Sequence, residues 1–356
     1  MRLIQRYILS EFLKLLAIAL GAFIALFMMV DLFENIDLLM KHSVPLSHSV
    51  RFFAWKLPFI LGQVFPIAVL VASLVSLGLL SKHGEITAIK AGGVRLLRAV
   101  TPLLLAGLAI SVLVILMNEY VTPVALKKTD SFRQQWFGVQ GGSFGKEGVW
   151  VRTGRGIFNV RQVDLGRDRL YGLTLYEIEK PFAVKERIYS RSVVWKGDKW
   201  VADEAIVWRF KDGEVKREEA LSLEINEFIR PEDLPNVENL QKNMSLNELR
   251  GYVRSLDADG YDSSKYRIDL YGKIAFPLVN FVMLLMGIPF ALKTGRHSGI
   301  ATGVGLSVVI AFSYWIVYAV TRSLGLNALI PPLVAAAFPD VLFFAIGALM
   351  FGYVRE

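Results

Sequence analysis

Cysteine is absent from the 356 residues, and the four histidines, His42, His48, His83 and His297, are scattered. Without cysteine there is no disulfide framework, no zinc-thiolate site and no thiol nucleophile. Dispersed histidines do not point to a metal cluster or a His-based catalytic centre. No G-x-S-x-G elbow and no H-E-x-x-H pair occurs. The nearest approach to a phosphate loop is Gly141-Gly142-Ser143-Phe144-Gly145-Lys146. It is one residue short of the P-loop spacing, and Glu147 stands where a Ser or Thr would hold magnesium. The segment reads as an entry into the region that follows. No carboxylate pair falls within an apolar run, and the runs read as free of the polar groups an intramembrane protease needs, which are costly in lipid. The chain is therefore expected to be no enzyme and to bind no cofactor or metal itself.

Apolar residues are what the chain has in excess, at 54% with a mean hydropathy of +0.44, above the roughly 45–50% of a soluble domain. A membrane helix needs about 20 such residues. Six runs meet that need: Phe12–Val30, Phe59–Leu80, Val100–Met117, Ile274–Leu292, Ile300–Val320 and Leu333–Tyr353. The first is uncharged between Lys14 and Asp31, is too long for a signal-peptide core, and lacks a small-residue cleavage site behind it. It reads as a retained span.

Charge sets the expected orientation. The net charge is +8, yet residues 125–265 carry 24 bases against 23 acids, so the surplus lies beside the spans. That pattern follows membrane topology and argues against nucleic acid. Arg2, Arg6 and Lys14 precede or open the first span. Lys82, Lys90, Arg95 and Arg98 against Glu85 alone lie between the second and third, and Lys293 and Arg296 between the fourth and fifth. The alternate connections are mixed: Asp31, Glu34 and Asp37 offset Lys41 and Arg51, and Arg322 stands alone. Both termini are expected in the cytoplasm, and the segment between spans three and four outside.

That outer segment reads as β. Leu221, Leu223 and Ile225 alternate with Ser222, Glu224 and Asn226, and Ile206, Trp208 and Phe210 with Val207, Arg209 and Lys211, so one set of each is expected inward. Lys211-Asp212-Gly213-Glu214 and Gly197-Asp198 are hairpin signals; Gly154, Gly156 and Gly166 punctuate earlier strands. Ser245 with Glu248 makes a capping box opening a helix with Leu246, Leu249, Val253 and Leu256. The expected fold is an α-helical membrane protein, six spans in a 3+3 layout, with an inserted extracytoplasmic β domain of sandwich or jelly-roll type. Its parts are 1–124, 125–265 and 266–356.

The connection Ser81–Arg98 is too polar to span. Ile86 and Ile89 lie on one side, and Glu85 sits where an acid favours a helix start. On spacing alone it reads as well as a solvated loop. Its core, Glu85-Ile86-x-x-Ile89-x-Ala91-x-Gly93, resembles the coupling helix of the LptF/LptG family of lipopolysaccharide-export permeases. Lys273-Ile274-x-x-Pro277 leading to Val282-Met283-Leu284-Leu285-Met286 resembles that family's fourth span. Ile330-Pro331-Pro332 followed by Phe338-Pro339 resembles the start of the sixth span in its G-type subunits. Order and spacing along essentially the whole chain carry the resemblance.

The resemblance implies a bacterial inner-membrane permease paired with an F-type permease or a second copy. Two copies of a separate cytoplasmic ATPase, which use the ATP and magnesium, would drive it. Lipopolysaccharide would enter between span one of one permease and span five of the other, then pass to a periplasmic jelly-roll bridge. Glu85, Ile86, Ile89 and Gly92 become the ATPase-coupling residues. Bases at the outer ends of spans, Lys41, Lys127, Lys128 and Arg133, become candidates for the glycolipid's phosphates, and Phe312 and Trp315, with Tyr318, for its acyl chains. Interfacial snorkelling and plain lipid packing explain the same residues. One departure stands out: the outer part of the first span, Phe27–Asp31, lacks the base common in the G-type subunits. Two other functions fit the composition, a mechanotransmission protein that carries no substrate and a scaffold for an envelope complex; the lone-acid cytoplasmic segment disfavours the scaffold.

Overall fold

The computed structural model describes residues 2–137, 142–145, 148–152, 156–164, 168–179, 183–197, 199–211, 214–225, 244–294 and 300–354. Two compact units divide the chain, one of Met1–Ala125 with Ser264–Glu356 and one of Leu126–Ser263.

The first unit holds long helices. α1 (Arg2–Lys41), α2 (Leu46–Lys82), the short α3 (Glu85–Ala91) and α4 (Leu96–Leu116) come first. A π-turn at Met117–Val121 runs on into α5 (Thr122–Phe137), which enters the second unit. After α6 (Leu246–Ala258) come α7 (Ser264–Thr294), α8 (Ile300–Leu326) and α9 (Pro332–Val354). Among the described residues six helical stretches are long and apolar enough to cross a membrane: Leu3–Lys41, Leu46–Lys82, Leu96–Phe137, Ser264–Lys293, Ala301–Leu326 and Pro332–Tyr353. The chain is an α-helical membrane protein with a β domain inserted between its third and fourth spans. Most helices outrun the apolar stretches read from the sequence, because polar turns such as Asp31–Lys41 continue the helix beyond the run. α1, with 40 residues, is about 60 Å long at 1.5 Å per residue.

α2 and α7 form the centre. Their apolar stretches are mostly buried, whereas those of α1, α8 and α9 are mostly exposed. Apolar exposure is ordinary for surfaces that face lipid. Close approach at the centre depends on small residues, as membrane packing requires. A Cβ on Gly287 of α7 would collide with the Ser73 hydroxyl of α2, and one on Gly107 of α4 would stand 2.6 Å from Leu284. Pro58 and Pro66 lie inside α2 and Pro277 and Pro289 inside α7, and beside Pro277 the Asn280 side chain bonds back to the helix, Nδ2 donating to Pro277 O at 2.8 Å.

The spans are not free of polar side chains, which corrects the sequence reading. Asp340 of α9, 8% exposed, accepts a hydrogen bond of 2.7 Å from the hydroxyl of Tyr314 on α8. Arg322 of α8 pairs with Asp269 of α7 at 2.7 Å. Lys56 of α2 pairs with Asp31 of α1 at 2.7 Å. Each of these three pairs joins two neighbouring helices, the arrangement that makes such groups tolerable in an apolar medium.

The second unit is one antiparallel sheet in the order β1 (Gly142–Gly145), β2 (Gly148–Arg152), β3 (Gly156–Val160), β5 (Arg169–Glu179), β6 (Ala183–Trp195), β7 (Trp200–Lys211) and β8 (Glu214–Ile225), with β4 (Gln162–Asp164) pairing β5. Val149, Val151, Phe158, Leu170, Leu173, Val193, Trp200 and Ile225 form its buried core. The core lies against this one sheet, consistent with the expected inserted β domain of jelly-roll type. Both hairpin signals hold, with Trp195 opposite Trp200 and Lys211 opposite Glu214. Gly197 takes φ +90°, and Lys196 N bonds Lys199 O at 2.9 Å. Asp198, Asp212, Gly213, Gly154, Gly166 and Asn226 lie outside the described residues, as do Gly141, Lys146 and Glu147 of the loop compared with a phosphate loop.

The alternation in β7 and β8 misled in part. Val207 is buried, while Ile206 and Trp208 are half-buried on the opposite face and Phe210 is exposed. Leu221 is exposed and only Ile225 of its set is buried. β8 ends the strand order and pairs on one side only, and Phe210 stands beside the β7–β8 turn, so these apolar residues lie outside the core. The capping box forms: Glu248 N donates to Ser245 Oγ at 3.2 Å and Ser245 N to Glu248 Oε2 at 2.8 Å. α6 buries Leu249, Tyr252, Val253 and Leu256. The Tyr252 hydroxyl donates to the Arg161 carbonyl, and Arg161 pairs with Asp259 at 3.3 Å, which docks α6 and its C-terminal end on the sheet domain.

Candidate functional site

The short helix α3 links α2 to α4, and glycine sets both its ends. Gly84 precedes it at φ +76°, and Gly93 follows at φ +72°, conformations that glycine adopts without a Cβ penalty. Gly93 N bonds Lys90 O at 3.0 Å and Val94 N bonds Ile89 O at 3.3 Å, the paired closure of a Schellman motif. Ile86 is 5% exposed in the membrane unit's core, and Ile89 packs half-buried against it. The two isoleucines therefore seat α3 on its own chain and are not on the face offered outward. Thr87, Ala88, Lys90, Ala91 and Gly92 are exposed, and Glu85 is half-buried. The Tyr7 hydroxyl of α1 donates a long 3.4 Å hydrogen bond to Glu85 Oε1, and Gln5 Nε2 donates to Arg98 O at 2.7 Å. The start of α1 is thus tied to both ends of the α3 connection.

The second set of expected residues is divided. Lys41 is exposed in the last turn of α1, in the membrane unit. Lys127, Lys128 and Arg133 lie on α5 within the other unit. Lys127 is paired with Glu248 of α6 at 2.7 Å. Burial raises the Glu248 pKa, but the Lys127 ammonium and the Ser245 backbone outweigh it and hold the carboxyl below its ordinary value. Lys128 is exposed and Arg133 half-buried. On α8, Phe312 is exposed, whereas Trp315 packs edge-on against Tyr318 at 5.6 Å and tilted against Phe276 of α7 at 6.2 Å. Among the described residues no group of three or more His, Cys, Asp or Glu is arranged to hold a metal.

Sequence reasoning missed Lys56. It stands three residues before the apolar run that begins at Phe59, and its role appears only when α1 and α2 are packed. Its Nζ meets both Asp31 oxygens at 2.7 and 2.8 Å and lies 4.4 Å from the Phe52 ring centroid.

The model of the family described as lipopolysaccharide export system permease LptF/LptG matches residues 6–353, both units included. The chain belongs to the LptF/LptG permease family. The Escherichia coli K12 protein named lipopolysaccharide export system permease protein LptG is 24% identical over 293 residues, 79% of each chain. The Haemophilus influenzae protein of the same name is 21% identical over 348 residues, 96% of this chain and 95% of that one. As an LptF/LptG permease the chain is a multi-pass membrane protein, and α3 occupies the position of the segment whose resemblance to the family's coupling helix was read from Glu85 to Gly93.

Proposed function

We propose that this LptF/LptG permease is the membrane subunit of an ATP-driven exporter that takes lipopolysaccharide out of the bacterial inner membrane and delivers it to a periplasmic jelly-roll bridge. The observation that carries the reading is the family match across residues 6–353, which takes in helices and β domain together. Lipopolysaccharide export is what the names of the similar Escherichia coli and Haemophilus influenzae proteins state. The Lys/Arg asymmetry supports a cytoplasmic location for both termini and α3, with the β domain outside.

The mechanism follows from how α3 is held. Glycine closes it at both ends, Ile86 and Ile89 anchor it, and it continues from α2, the helix most enclosed by the others. A force on its exposed face therefore moves α2 and α4 and cannot be absorbed by α3 alone. A separate ATPase dimer supplies the force, since this chain has no Walker motif; Glu85 is the acid available to a basic residue of that subunit, a charge-assisted contact of about 1.5–3 kcal/mol. An F-type permease or a second copy of this chain completes the cavity against the exposed apolar faces of α1 and α8. Lys41, Lys127, Lys128 and Arg133 would meet phosphates, and Phe312 and Trp315 acyl chains.

Photocrosslinking tests the substrate directly. A photoreactive residue at Phe312 should capture lipopolysaccharide in membranes, and one at the lipid-exposed Leu349 of α9 should not. Equal capture from both would remove Phe312 from the path.

A further inference from the structure

The contacts of α1 are unevenly spread. Ile8, Phe12, Leu16 and Ala19 are buried in the core near its start. From Gly21 to Glu34 no residue is buried, and Asn35 and Leu39 are buried again. Within that stretch only Phe23 and Met28 pack half-buried against the core, and beyond them charge fastens the helix. Lys56 of α2 holds both oxygens of Asp31, and Asn35 Nδ2 donates to the Asp31 carbonyl at 2.7 Å and to its Oδ1 at 3.2 Å. The Lys56 and Asp31 side chains are 13% and 21% exposed. Phe52 and Phe53 flank the ammonium at 4.4 and 5.8 Å.

A pair so enclosed behaves unlike a surface salt bridge. Removing one partner deprives the other of a close, enclosed counter-charge, so the pair opens most readily when another charge replaces one member. The replaceable member is Asp31, because Lys56 is fixed among aromatic rings while Asp31 rides on the sparsely packed stretch of α1. A lysine ammonium is a point charge that accepts a carboxylate or a phosphate alike. A zwitterionic headgroup brings its own cation and competes poorly. A headgroup with net negative charge competes well.

We propose that Asp31 and Lys56 form a charge latch that seats the outer half of α1 on α2, and that an anionic, phosphate-bearing headgroup opens it by displacing Asp31 whereas a zwitterionic headgroup does not. Asp31 then acts as a specificity determinant, the built-in competitor that an incoming amphiphile must outbid electrostatically. The identity of the ligand rests on the lipopolysaccharide reading above; the latch itself does not.

The absence of native cysteine makes the test clean. Nitroxide labels on Leu26→Cys and Phe59→Cys, both at exposed positions, report the α1–α2 distance in the full-length chain in phosphatidylcholine nanodiscs. One narrow, short distance is expected for the chain with the latch intact. Asp31→Asn and Lys56→Gln should each add a longer component, and the exchange Asp31→Lys with Lys56→Asp should restore the narrow one. Adding phosphatidic acid or lipopolysaccharide to the intact latch should produce the longer component, and adding phosphatidylethanolamine should not. Unchanged distances in both single variants, or an exchange variant as open as they are, would overturn the latch. Equal opening by phosphatidylethanolamine would overturn its selectivity. Opening by phosphatidic acid but not by lipopolysaccharide would leave the latch standing and count against the glycolipid reading.

Discussion

Replacing Tyr314 by phenylalanine removes the hydroxyl that donates to Asp340 at 2.7 Å and little else. Tyr314 is 2% exposed and Asp340 8%, so water does not replace the lost donor. An average side-chain hydrogen bond between membrane helices is worth about 0.6 kcal/mol and the strongest about 1.7. Leaving a buried acceptor without its donor costs about 1–3 kcal/mol. The near-complete burial of both groups puts this pair at the upper end, about 1.5 kcal/mol for Tyr314→Phe. Asp340→Asn keeps an acceptor oxygen and should cost less, under about 1 kcal/mol. Asp340→Leu should strand the tyrosine hydroxyl instead, and adding Tyr314→Phe to it should cost almost nothing further. The assay is reversible unfolding in mixed micelles, followed by tryptophan fluorescence, across the double-mutant cycle. A coupling of about 1.5 kcal/mol is expected, and a coupling below about 0.3 kcal/mol, within additivity error, would refute the claim that this pair fastens α8 to α9.

The Lys127–Glu248 pair gives a pH signature. The Glu248 pKa is lower in the folded chain than in the unfolded one, so its stabilisation is full above the ordinary carboxylate range and fades as pH falls through the lowered value; the Tm difference between the parent and Glu248→Gln should shrink on acidification, and a constant difference would contradict this. Gly287→Ala should destabilise the α2–α7 contact by about 1–3 kcal/mol through overpacking, and Ser73→Gly should recover part of that loss in the double variant; no recovery would place the clash elsewhere. Ser245→Ala should cost about 1 kcal/mol in the stability of α6, read as faster amide exchange in its first turn. Glu85→Lys should leave the chain inserted but uncouple ATP hydrolysis from export in the assembled transporter, and normal export with an unaltered ATPase would remove Glu85 from the contact.

Much of the fold is legible because lipid enforces simple rules. Long apolar runs and the two hairpins between Trp195 and Glu214 act locally, and each appears in the sequence as it does in the structure. The capping box at Ser245 and Glu248 is local in the same way. The misreadings have a different origin. Whether Val207 or Trp208 points inward depends on which face of the sheet carries the core, and that is decided by strands far away in sequence. Asp340 looks like a flaw in an apolar run until Tyr314, on another helix, is packed beside it. Lys56 and Asp31 are 25 residues apart and become a unit only when α1 and α2 lie antiparallel. Ile86 and Ile89 lie on one side of α3, and only the packed structure shows that this side meets the chain's own core.

The most direct test of the export reading is release of lipopolysaccharide from reconstituted vesicles. Proteoliposomes would carry this chain, its partner permease and the ATPase, with labelled lipopolysaccharide in the bilayer and a soluble jelly-roll acceptor outside. ATP should move label to the acceptor only when this chain is present, and Glu85→Lys should abolish the transfer. Sustained ATP hydrolysis with no transfer from the complete assembly, or equal transfer without this chain, would contradict the account.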